Sequence, residues 1–295
     1  MQLKKERRTL NMKYLVTGAT GGFGGYALNV LKDLVPQEDI YALVRSEEKG
    51  AQLKAAGFQL RIGDYTDEAT LTKAFAGIDR LLFVSGGTAG DRQAEHKNVV
   101  AAAQAAGISY IAYTSFGKAS VATSPLAADH KVTEKLIEDA GIDHTFLRNN
   151  WYLENEAAFF TAAVKSGKFI YSGGSGQAGW ALKREYAEIA ARAVSGKFDF
   201  PAVLELGGKL RTYDDLGTAL SAATGQNIVS VAGSEQEAAQ NLVDNAGLPQ
   251  NVADLLVSFQ QVVKSGALAV PADDMEKYLG KPLVSMEAAI KEILN

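Results

Sequence analysis

Residues 17–25 read Thr-Gly-Ala-Thr-Gly-Gly-Phe-Gly-Gly and follow directly on the apolar run Tyr14-Leu15-Val16. Glycines recur at 18, 21 and 24. A strand-to-helix turn of this composition lets the main chain approach a pyrophosphate, whose charge is met by the N–H groups and partial positive charge of a helix N-terminus. The spacing is Gly-x-x-Gly-x-x-Gly, and a tight turn needs glycine whether or not anything binds to it. What gives the motif meaning is its place, directly after the first strand with five further βα units behind it. The run reads as a dinucleotide site.

A carboxylate that binds the adenosine ribose is expected at the end of the second strand, about 20 residues past such a loop. Arg45 stands there instead, with Ser46 beside it and Lys49 one turn on. An arginine offers charge-assisted bonds to a 2′-phosphate, so the pattern favours NADPH over NADH; the competing reading is a solvated charge at a strand end. The third strand ends in Asp64-Tyr65. That carboxylate can accept the adenine amino group while the ring flanks the base, or it can cap the helix beginning near Asp67. Ser85, Gly86 and Gly87 close the fourth strand with side chains small enough to leave room for the dinucleotide, although a plain turn would use the same residues.

Ordinary alcohol–ketone interconversion in short-chain dehydrogenases uses a Tyr-x-x-x-Lys pair, the lysine lowering the tyrosine pKa. None of the 11 tyrosines has lysine four residues later. A reductase without that pair can still serve an acceptor that takes hydride before proton, as quinones and other conjugated electron sinks do. The protein then mainly positions donor and acceptor.

Positioning requires a frame, and the chain supplies one. Six apolar runs (14–16, 40–44, 58–62, 81–84, 110–113 and 145–147) alternate with amphipathic or alanine-rich stretches at 26–34, 47–56, 68–75, 91–106 and 126–140. Repeated βα units with nearly uninterrupted apolar strands predict a Rossmann-like α/β fold, a doubly wound parallel sheet covered on both faces. After about Asn150 the alternation fades into helices near 154–165, 183–194, 213–223, 235–246 and 252–263, with isolated strands near Phe169 and Val203. The expected organisation is an NADP-binding domain over 12–150 and a smaller, interleaved α/β substrate lobe over 151–295, with a cleft between them. Residues 1–11 carry Lys4, Lys5, Arg7 and Arg8 without an apolar stretch, and read as a leader expected to be disordered or loosely docked.

Taken together, Val16 to Gly21, Leu43-Val44-Arg45, Gly63-Asp64-Tyr65, Tyr113-Thr114-Ser115, His130 with Glu134-Lys135, and Leu147 to Tyr152 make the chain from Met12 onward resemble a known group. It is similar to the NmrA-like branch of the atypical short-chain dehydrogenases, nearest to the type 2 NAD(P)H:quinone oxidoreductases, with triphenylmethane reductase a near relative. The Leu-Arg-Asn-x-x-Tyr segment after the sixth strand is the most specific element of that likeness. The resemblance implies that Gly18, Ala19, Thr20, Gly21, Gly22 and Phe23 hold the pyrophosphate, Arg45 the 2′-phosphate, and Ser85 to Gly87 the middle of the dinucleotide. It places Asn149, Asn150, Trp151, Tyr152 and on to Glu154 at the nicotinamide end, and implies direct reduction of quinones from NADPH without flavin. Two departures, Ser85-Gly86-Gly87 in place of a serine run and Asn150 in place of a glycine, leave the acceptor open.

His130 lies on the helix after the fifth strand, facing the region where related reductases put a catalytic lysine. It could relay a proton to a quinol oxygen, or be a structural histidine satisfied by a backbone carbonyl. Tyr152 could orient the acceptor or donate a hydrogen bond, and Trp151 could stack on a planar ring, or either could be core aromatic. His96 and His144 read as structural, and three histidines without clustered spacing argue against a metal site.

Composition narrows the field. The chain has 295 residues, a net charge of −4, 47% hydrophobic residues and no cysteine. Such a chain buries a large core, has no basic surplus for nucleic acid, and has no thiolate chemistry or disulfide. The longest uncharged stretch, 98–117, is broken by Gln104, Gly107, Ser109 and Ser115 and is no membrane span. The expectation is a cytoplasmic, NADPH-dependent quinone reductase acting as a monomer or homodimer. The alternative is an NmrA-like regulator that senses the dinucleotide and docks a protein partner.

Overall fold

The computed structural model describes residues 12–86, 90–122, 124–273 and 275–295. The leader, residues 1–11, and Gly87 lie outside the described residues. The chain divides into two compact units.

One unit holds the chain through Val121, Pro125–Arg148 and Tyr186–Leu204. Its strands are β1 (Tyr14–Val16), β2 (Ile40–Val44), β3 (Gln59–Ile62), β4 (Arg80–Phe83), β5 (Tyr110–Phe116) and β6 (Asp143–Asn149). Every residue of β1 and β2 is buried, as an apolar strand covered on both faces must be. A seventh strand, Val203–Leu206, completes a sheet of order β3-β2-β1-β4-β5-β6-(Val203–Leu206). β1 runs parallel to β2 and β4, β2 to β3, and β4 to β5. Val203, expected as an isolated strand after the alternation fades, instead opens the strand beside β6, where the Phe146 and Asn150 amides donate to the Ala202 and Leu206 carbonyls (both 2.8 Å).

The direction of winding reverses between β1 and β4, and ligands of doubly wound sheets bind at that switch point, beyond the carboxyl ends of the strands. The glycine loop leaves β1 there. Local chemistry fixes the helices around it. Asp67 caps the helix Glu68–Phe75 by accepting from the Ala69 and Thr70 amides, and Asp91 caps Arg92–Ala106 through the Ala94 amide. Leu15, Phe75, Phe83, Val99, Tyr113 and Phe146, each fully buried, join in one core cluster of this unit. Each such side chain contributes about 1.5–3 kcal/mol of apolar transfer.

The other unit takes Ala122–Ser124, Asn149–Glu185 and Glu205–Asn295. Its described residues form two-stranded sheets: Trp151–Tyr152 parallel to Trp180–Ala181, Lys168–Tyr171 parallel to Val229–Ala232, and Gln177–Ala178 antiparallel to Arg211–Thr212. The helix expected over 235–246 forms as an α-helix to Asn241 and continues as a π-helical turn, Leu242–Ala246. Two further helices, Met275–Leu279 and Met286–Leu294, close the chain. Among the described residues no helix is long and apolar enough to cross a membrane.

Candidate active site

The loop after β1 is built so that only glycine fits at two of its positions. Gly18 has φ +59°, the left-handed region that side chains avoid. At Gly24 a Cβ would lie 2.3 Å from the Gly18 carbonyl oxygen and 2.9 Å from the Ala19 Cα, so the first turn of the helix Gly22–Leu34 rests directly on the loop. Gly21 is the N-cap of that helix and provides no side chain to cover its amides. Of the residues expected to hold a pyrophosphate, Gly18, Thr20, Gly21 and Gly22 are exposed at the surface. Ala19 and Phe23 turn their side chains into the core and can offer only main chain.

A cavity of about 500 Å³ opens over this loop. Gly18 and Thr20 border it, as do Arg45 and Lys49 after β2, Asp64 and Tyr65 after β3, and Ser85 and Gly86 after β4. One cavity thus gathers seven of the residues singled out in the sequence as cofactor ligands. It also takes in Glu95, at 3.3 Å from a Cβ built on Gly86, a carboxylate that no motif or spacing in the sequence singles out.

Arg45 is 74% exposed, and its Nε lies 4.0 Å from Asp64 Oδ2. An exposed pair at that distance contributes little to stability, so the guanidinium is held near the cavity at small cost. Asp64 accepts from both the amide and the hydroxyl of Thr66 (2.9 Å each). The Thr66 amide above all holds its carboxyl below the usual range. The helix cap weighed for Asp64 belongs to Asp67. Tyr65 lines the cavity with its ring, while its hydroxyl is turned inward, meeting Thr17 Oγ1 and donating to the Val84 carbonyl (2.8 Å). Burial raises its pKa, so it remains protonated.

The β4 end is pinned from behind. The Ser85 amide donates to Thr114 Oγ1 (2.8 Å), and the Gly86 amide to His96 Nε2 (3.0 Å). An accepting Nε2 places the ring proton on Nδ1, which faces Thr133 Oγ1 at 2.8 Å. Burial, with the charge of Arg92, depresses the His96 pKa to about 4. His96 is a structural histidine, and what it supports is the cavity wall.

His130 is buried on the helix Pro125–Asp139, its Nδ1 2.9 Å from the Tyr113 hydroxyl and its Nε2 3.5 Å from Arg92 Nη1. Burial foremost, then Arg92, lowers its pKa to about 3, so the ring is neutral at physiological pH. One turn on, Glu134 receives Arg148 through two bonds (2.9 and 2.6 Å) and the Ser115 hydroxyl (2.6 Å).

The Asn149–Tyr152 segment belongs to the other unit. Asn149 Nδ2 donates to the Tyr152 hydroxyl (3.0 Å), and its Oδ1 is buried without a hydrogen-bond partner. Asn150 bridges within that unit, donating to the Leu268 carbonyl (3.0 Å) and accepting from the Gly179 amide (2.9 Å). Trp151 donates to Glu156 (3.2 Å) and meets Phe259 edge-on. Tyr152 is held protonated by burial, and Lys183 Nζ lies 5.6 Å from its ring centroid.

The switch-point cavity, its glycine wall and the cations at the end of β2 define a dinucleotide-binding protein of the doubly wound α/β class. A pyrophosphate suits the loop, because the positions where a Cβ would intrude are glycine. A sequence profile described as NAD(P)H-binding matches residues 18–176. Quinone oxidoreductase 2 of Escherichia coli (strain K12) is 37% identical over 281 residues, 95% of this chain and 98% of that protein. Citrobacter sp. triphenylmethane reductase complexed with NADP(H) superposes with a TM-score of 0.89 at 32% identity, over 96% of this chain and 100% of that one. The E. coli NADPH-dependent quinone oxidoreductase complexed with NADPH matches with a TM-score of 0.85 at 37% identity, over 96% and 100%. The chain belongs to the NAD(P)H-binding family.

Proposed function

We propose that the protein is an NADPH-dependent oxidoreductase that reduces a quinone or similarly conjugated acceptor directly, without flavin. The observation that carries this reading is the union, in one cavity, of a glycine wall with Arg45 and Lys49 at its β2 end. Similarity along nearly the whole chain to a quinone oxidoreductase supports the acceptor class. When bound, the reduced nicotinamide supplies the hydride. The Gly18–Phe23 loop holds the pyrophosphate, Arg45 and Lys49 the 2′-phosphate, Asp64 and Tyr65 the adenine, and Ser85 and Gly86 the middle of the dinucleotide. Asn149 to Tyr152 serve the nicotinamide end. Tyr152, which burial keeps protonated, acts as a hydrogen-bond donor to the acceptor oxygen and not as a base. His130, neutral in its buried site, passes on a proton only as it receives one. The protein works as a monomer or homodimer on a small molecule, and we assign it to the cytoplasm, where the reduced dinucleotide pool feeds such reductases.

Flavin-stripped protein assayed for NADPH oxidation against a panel of quinones tests the proposal. Turnover well above background is expected, and Tyr152→Phe, which keeps the ring and removes the donor, should lower kcat about 10- to 100-fold. NADPH binding with no turnover would instead identify a non-catalytic dinucleotide sensor.

Cofactor choice gives a separate prediction. Arg45→Asp removes a charge-assisted contact to a phosphate and introduces repulsion, so NADPH affinity should fall about 10- to 100-fold while NADH affinity changes little. Paired titrations with the two nucleotides check this. Equal weakening of both would mean that Arg45 does not read the phosphate.

A further inference from the structure

One buried carboxylate has no part in binding cofactor or acceptor. Glu156, 2% exposed, ends the 3₁₀ turn Leu153–Glu156 that follows Trp151–Tyr152. Its Oε1 accepts from three donors: Trp151 Nε1 (3.2 Å), Trp180 Nε1 (3.3 Å) and the Tyr213 hydroxyl (3.2 Å). Trp151 and Trp180 are the chain's two tryptophans, and they are register partners across a parallel strand pair. Tyr213 in turn meets Trp180 edge-on at 5.2 Å and stacks on Tyr171 at 5.4 Å. A single oxygen therefore ties together both strands of the small sheet and the helix Tyr213–Thr224.

We propose that Glu156 is the positioning residue of the Asn149–Tyr152 segment, its carboxylate clamping both indoles so that Tyr152 keeps its place against Asn149. This rests on the reading that the segment serves the nicotinamide end. The alternative, a carboxylate that only glues the core, would do without its charge. The groups facing Glu156 are Trp151, Trp180, Tyr213 and Gln260, and none is a cation. Desolvation pushes the carboxyl up to about 7 while the donors pull it back. Protonation takes away the charge that strengthens all three bonds, so the clamp tightens as the carboxyl ionises.

Because both tryptophans donate to this one oxygen, intrinsic fluorescence reads the clamp without any need for turnover. Emission of the wild type, followed from about pH 5 to about pH 9, should titrate with a midpoint near 7, and Glu156→Gln should be flat over the same range. Tyr213→Phe, which removes one donor and keeps the ring, should move the midpoint up by about one unit. The kcat profile of the wild type should carry an inflection at the same midpoint, absent in Glu156→Gln. A flat wild-type emission, a titration that survives in Glu156→Gln, or a kcat profile without the inflection would overturn the proposal. Absent turnover with the emission titration intact would count against the reductase reading and in favour of the clamp.

Discussion

Gly24→Ala is expected to reduce NADPH affinity by at least about 100-fold, close to 3 kcal/mol. A Cβ there would meet the Gly18 carbonyl oxygen at 2.3 Å, the Gly18 carbonyl carbon at 2.6 Å and the Ala19 Cα at 2.9 Å. All three are backbone, so no side chain can swing aside. The helix Gly22–Leu34 must lift away from the loop, or Gly18 must leave its φ of +59°, and either change spoils the surface offered to the pyrophosphate. Overpacking of this kind also costs about 1–3 kcal/mol of stability, which urea unfolding would register. The next residue provides the contrast. A Cβ on Gly25 has only the Ala19 carbonyl oxygen near it, at 3.7 Å, an ordinary contact. Gly25→Ala should therefore bind NADPH like the wild type, and stiffen the helix by about 0.5–1 kcal/mol. Similar affinities for the two variants would contradict the close-approach argument.

Acid should destabilise the protein strongly, and through two identified rings. His96 and His130 are depressed to about 4 and about 3 by burial and by Arg92. In the unfolded chain both return to about 6.5. A folded-state pKa below the unfolded one means that the contribution is complete above about pH 6.5 and is lost as pH falls toward the folded values. Between about pH 7 and about pH 4.5 each ring should forfeit about 2–3 kcal/mol, a total that rivals the stability of a typical domain. His96 adds a structural consequence, since its protonated Nε2 can no longer accept from the Gly86 amide and the cavity wall loosens. Denaturant unfolding across that interval should show a shallower slope for His96→Gln than for the wild type. Identical slopes would mean that the ring is already charged, or is solvated, in the folded protein.

These effects show what local sequence could and could not convey. The strands β1, β2, β4 and β5 are legible because a strand covered on both faces must be an apolar run. The edge strand β3, which has no buried residue, shows only as the short run from Phe58 to Ile62 between Gly57 and Gly63, and β6 as the run from Thr145 to Leu147. Val203–Leu206 was readable as a strand but not as a neighbour of β6, because pairing across more than fifty residues leaves no mark on local pattern. The Met275–Leu279 helix is too short to establish a period, and a π-helical turn such as Leu242–Ala246 has no sequence signature. Within the site, residue type revealed Arg45 beside the loop, while the division of labour between Asp64 and Asp67 depended on which amides each carboxylate reaches. The role of Glu156 is hidden in the sequence for a similar reason. It stands two residues from Glu154 in a run that looks solvated, and only the fold brings Trp180 and Tyr213 to it.

Binding and turnover both require an anionic nucleotide lying across the carboxyl end of β1, and a crystal structure of the protein grown with NADPH tests that most directly. The expected density runs over the cavity, with the pyrophosphate against Gly18 to Phe23 and the 2′-phosphate beside Arg45 and Lys49. Density for the nucleotide at another place on the molecule, or a cavity still open at saturating NADPH, would contradict it.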